Sequence, residues 1–329
     1  MRGIMSTKKP PESEPGDLSI VIPVYNSARI LPVLIDRVAS AMADAGLAFE
    51  LILVNDGSQD DSWQIILEHA AGHDWLRGIN LMRNFGQHNA LLCGIRAARN
   101  PIIVTMDDDL QHPPEEIPKL LAELERGHDV VYGSARLQQH GFLRNLASNL
   151  TKLALKSAMG IRNARNVSAF RAFRTKLRAA FADYSGTFVS IDVLLTWGTG
   201  RFSAIEVRHE PRFAGESQYT LRKLITHALN MMTGFGTLPL QIASLVGLVF
   251  TLFGLGILAY VLVRWMLQGS VVPGFPFLAS IIAIFSGAQL FALGIIGEYL
   301  ARMHYRLMDR PPYVEECRLP EKQAGDADA

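Results

Sequence analysis

Three adjacent carboxylates, Asp107, Asp108 and Asp109, stand at the end of an apolar, β-branched run, Ile102 to Thr105. The segment Leu110-Gln111-His112-Pro113-Pro114-Glu115 follows at once. A buried strand that ends in adjacent acids exposes them at the carboxyl edge of a sheet, where open α/β folds bind ligands. Adjacent carboxylates repel one another, so a site that keeps them ionised usually supplies a cation, and oxygen ligands suit Mg²⁺ or Mn²⁺. The chemistry that fits this spacing is a metal site holding a diphosphate. A solvated acidic turn is the alternative for the motif standing alone.

The elements that must position these acids follow from the apolar spacing. Leu18 to Val24 reads as a buried strand leading into Tyr25-Asn26, and Arg29 to Ala45 carries helical spacing with Gly46 as its C-terminal cap. Phe49 to Val54 is a second strand, ended by Asn55-Asp56-Gly57-Ser58, and Asp60 or Asp61 is the N-cap of the next helix. Leu76 to Met82 is a third strand, followed by the loop Arg83 to Gln87 and a helix from about His88 to Arg99. A helix from Glu115 to Arg126 and a strand from Asp129 to Gly133 continue the series. This alternation predicts a parallel, doubly wound sheet with right-handed crossovers. Its polar tips, Tyr25 and Asn26, Asp56, Arg83 and Asn84, then Asp107 to Asp109, would converge on one ligand crevice.

The rest of the chain points to a membrane. Hydrophobic residues make up 49% and charged ones 19%, more apolar than an ordinary soluble protein, and the net charge of +1 argues against a generic nucleic-acid binder. Cys93 and Cys317 fit no metal or disulfide spacing, so a reducing compartment is inferred. Residues 1–17 are polar, lack the apolar core of a signal peptide and read as a flexible tail. Between Val130 and Ala182 there is no acid, while Arg136, Arg144, Lys152, Lys156, Arg162, Arg165, Arg171, Arg174, Lys176 and Arg178 all fall there. Leu143, Leu146, Leu150 and Leu153 share one helical face, which predicts a basic interfacial helix over about residues 142–160. A nucleic-acid surface is the competing reading of that charge, without any binding motif to accompany it.

Phe202 to Val207 is a further strand, and Tyr219 to Met232 a second amphipathic helix bearing Arg222, Lys223 and His227. Gln241 to Val263 then runs without a charge, about 34 Å as a helix, and Pro276 to Gly297 does the same. Arg302, Arg306 and Arg310 on one side and Arg222 and Lys223 on the other place both termini in the cytoplasm by the positive-inside bias. A pair of buried core helices is the alternative. Glu298 and Arg302, four apart, form a helix-surface pair.

A resemblance appears once these motifs stand in order. Val21-Ile22-Pro23-Val24-Tyr25-Asn26, Val54-Asn55-Asp56-Gly57-Ser58, Arg83-Asn84-Phe85-Gly86 and the segment Asp107 to Glu115 look like family 2 glycosyltransferases. Arg212-Phe213-Ala214-Gly215-Glu216-Ser217-Gln218-Tyr219 and the two-helix C-terminus are similar to the polyprenyl-phosphate group, which contains dolichyl-phosphate mannose synthase and bacterial undecaprenyl-phosphate sugar transferases. The resemblance covers about residues 18 to 313.

What it implies is specific. The fold is α/β, a doubly wound, GT-A-like nucleotide-sugar-binding domain over residues 18–218, followed by an amphipathic juxtamembrane helix (219–237), a two-helix transmembrane hairpin (238–300) and a cytoplasmic tail (301–329). Pro23, Tyr25, Asp56, Arg83 and Asp107 hold the nucleotide sugar, with Asp56 towards the base. Asp107, Asp109 and Gln111 hold Mg²⁺ or Mn²⁺, and Asp108 is a spacer. Asp109, Arg136 and Arg212 are the catalytic set, and Arg171, Ser217 and Tyr219 bind phosphate or acceptor; guanidinium groups suit phosphate oxygens.

Two departures stand out. Ser27 replaces a Glu common in the family, which puts one nucleotide contact in question, and Ala169 stands where an acid is usual, with Asp192 the nearest replacement in sequence. The expected reaction is inverting transfer of a sugar from a nucleoside-diphosphate donor, UDP-glucose or a related UDP-sugar, to a polyprenyl phosphate at the cytoplasmic face of the inner membrane. A phosphate acceptor is already anionic near neutral pH, so no strong base is required. The family suggests a homotetramer, with the lipid bilayer as partner and no nucleic acid. The rivals are a processive polysaccharide synthase, whose Gln-x-x-Arg-Trp signature is absent, and a catalytically silent nucleotide-sugar-binding membrane protein.

Overall fold

The protein is described here from a computed structural model covering residues 17–134, 167–186, 189–211, 238–268 and 275–320. Its centre is a run of parallel, mostly apolar strands, as a sheet covered by helices on both faces requires. Among the exceptions, Ser19, Glu50 and Arg77 are buried in hydrogen bonds to one another. These are β1 (Leu18–Val24), β2 (Phe49–Asn55), β3 (Leu76–Leu81) and β4 (Ile102–Thr105), with β1 paired in parallel to both β2 and β4. Helix α1 (Leu31–Asp44) buries Leu31, Leu34, Ile35, Val38, Ala41 and Met42, the one face that helical spacing brings together. It stops before Gly46, whose φ of +64° is the left-handed cap expected there. Helices α2 (Ser62–Gly72), α3 (Gln87–Ala97) and α4 (Ile117–Glu125) complete the alternating part. On α3, Gly94 lies so close to the sheet that a Cβ there would sit 2.3 Å from Val21 Cγ1. Helix and sheet meet at that point because the side chain is missing.

The sheet is mixed, and the expectation of an all-parallel sheet is corrected. Among the described residues its order is β7 (Phe202–Glu206), β5 (Val130–Ser134), β6 (Arg171–Arg174), β4, β1, β2, β3 and β8 (Glu315–Arg318), and β6 and β8 run antiparallel to their neighbours. Strand β6 (Arg171–Arg174) is inserted between β4 and β5 (Val130–Ser134), and β7 (Phe202–Glu206) lies beyond β5 after helix α5 (Ile191–Gly198). Only Ala172 and Phe173 of β6 are apolar, and both are fully buried, so no hydrophobic run announces the strand.

The second antiparallel strand, β8 (Glu315–Arg318), corrects the reading of residues 301–329 as a tail. It covers the outer edge of β3, with Met82 N–H donating to Val314 O at 3.0 Å, Leu319 N–H to Gly78 O at 2.7 Å and Asn80 to Glu316 at 2.6 Å. A short, charged, half-exposed edge strand carries no apolar alternation for sequence reading to find.

Two long helices separate β7 from β8. They are α6 (Leu238–Gln268) and α7 (Phe275–Leu307), with membrane-length windows at Pro239–Arg264 and Ile284–His304. Neither window is buried in the protein. Apolar helices that bury nothing in the globular domain suit a bilayer, and the alternative of a buried core pair is dropped. They touch each other through Phe250 and Phe285, whose ring centroids are 5.9 Å apart, and through Gly254 beneath the Phe285 ring. The expected Glu298–Arg302 pair is formed, at 2.7 Å.

Both connections to this helical pair meet the sheet at one edge. β7 is parallel to β5 and ends at Glu206, after which Glu210 N–H donates to Gln111 O at 2.9 Å. β8 begins opposite Leu81, at the carboxyl end of β3.

Candidate functional site

That same carboxyl edge carries the acidic cluster. β4 ends at Thr105, and Asp107, Asp108 and Asp109 follow on a half-buried turn that Leu110 reverses with a φ of +56°. The Gln111 N–H donates to Asp109 Oδ1 at 3.1 Å, a local turn of the kind short acids favour. Gln87, the first residue of α3, donates its amide to Asp107 Oδ1 at 2.5 Å. Asp107 is therefore tied towards α3.

Asp108 turns the other way. Its Oδ2 accepts the Ser27 hydroxyl and, at 3.4 Å, the Tyr25 N–H. Burial pushes its carboxyl above the usual range, while Ser27 and the Tyr25 amide pull it back and Asp109 adds to the rise. Asp108 is a latch between the β1 and β4 tips, so its expected role as a spacer is corrected. Ser27, where the resemblance left a contact in question, is the other half of that latch. Its N–H donates to Ser62 Oγ at 2.9 Å, and Ser62 in turn donates to Asp60 at 2.5 Å. Of the two expected caps for α2, Asp61 stands at the N-cap position without a side-chain bond, and Asp60 accepts the Ser62 N–H at 3.1 Å.

Asp56, at the tip of β2, is 2% exposed and accepts the N–H groups of Phe85 and Gly86 at 2.7 and 2.9 Å. Burial raises its carboxyl, and those two amides oppose the rise. Gly57 has a φ of +67°, and a Cβ on it would lie 2.5 Å from the backbone of Arg83 and Asn84. The β2 tip and the Arg83–Gly86 loop are thus pressed together where only glycine fits. Arg83 lies over the Phe85 ring at 4.2 Å, Tyr25 is 48% exposed, and Pro23 is buried within β1. Pro23, Tyr25, Asp56, Arg83 and Asp107 accordingly occupy the tips of the neighbouring strands β4, β1, β2 and β3.

Arg171 is elsewhere. It is 1% exposed, donates Nε to Thr105 Oγ1 at 3.0 Å and is ion-paired with Asp192, which also accepts the Tyr132 hydroxyl at 3.0 Å. The structure gives its guanidinium to the interior of the sheet, not to a phosphate surface. Asp192 is the counter-ion of Arg171, not a free base, and Thr105 also donates to the backbone of Ala169 at 2.8 Å. Burial raises the Tyr132 hydroxyl beyond its ordinary range, and Asp192 adds to it. Arg136, Arg212, Ser217 and Tyr219 lie outside the described residues, as do the basic helix of residues 142–160 and the juxtamembrane helix of residues 219–237.

Residues that the motifs did not single out complete the site's frame. Arg37 bridges Glu115 and Glu210, and Arg208 pairs with Glu116, which is 1% exposed. His112 stacks on Phe170 with centroids 5.3 Å apart and meets His209 edge-on at 5.1 Å. Burial pushes His112 down to about 4, His209 contributes, and Asp109 opposes. These pairs join residues distant in sequence, and no local spacing signals them.

Among the described residues, no three His, Cys, Asp or Glu side chains gather into a metal cluster. The expected donors, the Asp107 and Asp109 carboxylates and the Gln111 side chain, all belong to the turn that follows β4. Mg²⁺ and similar hard cations are commonly held by one or two carboxylates together with substrate phosphates, so the residues fit such an ion with a diphosphate completing its shell.

Comparison with known proteins adds the following. Residues 19–187 match the family described as glycosyl transferase family 2. An undecaprenyl-phosphate 4-deoxy-4-formamido-L-arabinose transferase of Shewanella sediminis is 37% identical over 312 residues, covering 94% of each chain. One of the same name from Pseudomonas aeruginosa is 36% identical over 304 residues, covering 91% of this chain and 89% of that one. The crystal structure of glucosyl-3-phosphoglycerate synthase from Mycobacterium tuberculosis, with Mn²⁺, UDP-glucose and phosphoglyceric acid, aligns with a TM-score of 0.50 at 20% identity. The alignment covers 66% of this chain and 78% of that one, and it marks a shared fold.

Proposed function

Because this chain belongs to glycosyl transferase family 2, we propose that it transfers a sugar from a UDP-sugar to undecaprenyl phosphate at the membrane surface; the names of its relatives describe sugar transfer involving undecaprenyl phosphate for them. The observation that carries this reading is the shared edge. The acidic cluster, the chain leading towards α6 and the strand returning from α7 all meet the sheet at the carboxyl ends of its strands. An acceptor phosphate whose polyprenyl tail stays in the bilayer would reach such an edge without leaving the membrane.

The chemistry asked of the protein is modest. An acceptor phosphate oxygen attacks the anomeric carbon, the bond from that carbon to the diphosphate breaks, and UDP leaves with the electron pair. The anomeric configuration inverts. Ala169 offers no base, and Asp192 is committed to Arg171, but a phosphate acceptor needs none. The protein's contribution is orientation and charge neutralisation. The tips of β1, β2 and β3 would hold the nucleoside, and Asp107, Asp109 and Gln111 would hold a Mg²⁺ or Mn²⁺ ion. Such an ion, when bound, offsets the negative charge that develops on the leaving diphosphate. Arg136 and Arg212 are the cations assigned to the diphosphate, and Ser217 and Tyr219 belong with the acceptor.

We also place the globular domain and both termini on the cytoplasmic side, with a homo-oligomer as the assembled form. The chain would divide into a catalytic domain (18–218), a juxtamembrane helix (219–237) and a membrane pair from residue 238. The relatives' names supply the sugar 4-deoxy-4-formamido-L-arabinose, and with the UDP donor proposed here its UDP-linked form is the first to test and UDP-glucose the second. The test incubates the full chain in lipid vesicles with undecaprenyl phosphate and each labelled donor, followed by mass analysis of the extracted lipid. A single glycosyl phospholipid is expected. A polymer would instead favour the processive synthase, and donor binding with no lipid product would favour a silent binding protein.

A further inference from the structure

Three consecutive residues after β7 are each fastened to the segment that follows the acidic cluster. Arg208 Nε donates to Glu116 Oε1 at 2.7 Å, the His209 ring meets His112, and Glu210 N–H donates to Gln111 O at 2.9 Å. The Glu210 carboxylate then reaches a third element. Arg37, in the middle of α1, donates Nη1 and Nη2 to its two oxygens, both at 2.8 Å. The same guanidinium donates Nε and Nη2 to Glu115 at 2.8 and 3.1 Å. One planar group therefore holds two carboxylates in paired fashion, one from each of the segments that must meet.

The energetics say what this arrangement is for. The three side chains are between 27% and 40% exposed, and exposed ion pairs contribute little to global stability. A two-pronged guanidinium bond nevertheless fixes direction as well as distance. In sequence Glu210 lies two residues before Arg212 and Glu115 six after Asp109, so the clamp joins the two chain segments that carry residues proposed for the reaction.

We propose that Arg37 is a positioning residue for sugar transfer: through Glu115 and Glu210 it sets the register in which the chain leading to Arg212 meets the Asp107–Asp109 turn. This rests on the function proposed above. A misplacement of about 1 Å at a reaction centre can cost a hundredfold in rate. A loss of this clamp should therefore lower turnover far more than it lowers stability or donor affinity.

The experiment uses the full chain in lipid vesicles, as Arg37→Ala, Arg37→Lys, Glu210→Ala and the double Arg37→Ala/Glu210→Ala variant. We expect kcat to fall about 10- to 100-fold in Arg37→Ala, with donor KM within about twofold of wild type. Arg37→Lys should recover part of the loss, and the double variant should be no slower than the worse single one. Hydrogen exchange at the Glu210 amide should accelerate in Arg37→Ala. Multiplying losses in the double variant, an unchanged kcat, or an unchanged Glu210 exchange rate would each overturn the proposal. Should the wild-type chain make no lipid-linked sugar at all, the proposed function fails, while the exchange measurement still decides whether Arg37 holds the segment.

Discussion

Ser27 donates its hydroxyl to the carboxylate of Asp108, and the Tyr25 amide reaches the same oxygen. The tip of β1, where a nucleoside would lie, is thereby tied to the tip of β4, where a diphosphate would lie. Asp108→Ala breaks this tie, leaving the Tyr25 N–H without its carboxylate and the Ser27 hydroxyl with only the Tyr25 carbonyl, 3.2 Å away. A lost hydrogen bond to a charged group costs roughly 1.5–3 kcal/mol, about 10- to 100-fold in an equilibrium. The loss should fall on donor KM, with kcat nearly kept. Asp109→Ala should do the reverse. Steady-state kinetics of the two variants separates the roles, and equal changes in both parameters would dismiss the distinction.

Asp107 and Asp109 give the proposed cation two carboxylates, with the Gln111 amide and the diphosphate to complete its shell. Chelation with excess EDTA should therefore abolish transfer, and added Mg²⁺ or Mn²⁺ should restore it. Asp109→Ala should lower kcat by about two to three orders of magnitude, as removal of one preorganised charge-stabilising group does elsewhere. Full transfer by a folded Asp109→Ala protein would remove this carboxylate from the reaction.

Arg171 and Asp192 are a buried pair, joined by Thr105 and Tyr132. Removing one partner of a buried pair strands the other charge and costs roughly 3–5 kcal/mol. Arg171→Ala and Asp192→Ala should each lower stability by that much in denaturant titrations of the detergent-solubilised protein. An Arg171→Met/Asp192→Leu double variant should recover much of the loss. If Arg171→Met instead folds with wild-type stability and loses only acceptor affinity, Arg171 serves the phosphate after all.

These residues also show what a sequence can and cannot disclose. β1, β2, β4 and their helices are legible because burial leaves mostly apolar runs, β3 is read from Leu76, Ile79 and Leu81 around Arg77 and Asn80, and the boundaries agree within a residue or two. Asp56 and the acidic cluster were legible as polar residues ending such runs. Arg171 was misleading because a buried arginine and a phosphate-binding arginine look alike until the counter-ion is found, and Asp192 lies on a different element. The tie between Asp108 and Ser27 is not legible in the sequence, because the two lie far apart and a lone serine announces no partner. The Arg37 clamp had no local signature, since ion pairs between distant segments leave no periodicity.

Strand β8 is the clearest case of a feature that only the fold reveals, and it makes its own prediction. It satisfies backbone groups along β3, and Cys93 Sγ donates to Glu315 at 3.4 Å beneath it. A chain ending at Val314 would leave the β3 edge open, and open edges pair with other chains. Such a truncation should lower the melting temperature and promote self-association in size-exclusion chromatography. An unaltered elution profile and melting temperature would show that the strand is dispensable to the sheet.

The Arg37 clamp should also be visible as a pH effect. The Arg37 guanidinium beside Glu210 holds that carboxyl below its ordinary range, with burial opposing. A free glutamate titrates near about 4.3, so between that pH and the lower folded value the unfolded chain binds more protons than the folded one. Stability from the clamp is therefore fully present above about pH 4.3 and is lost as the pH falls through the folded value. Wild type and Arg37→Ala should differ by a constant, small amount in denaturant midpoint from pH 6 to 8, and the gap should close at lower pH. High salt should narrow the same gap at neutral pH, because the pair is partly exposed and screened. A gap that widens on acidification would mean that Arg37 supports the fold through packing of its stem and not through Glu210.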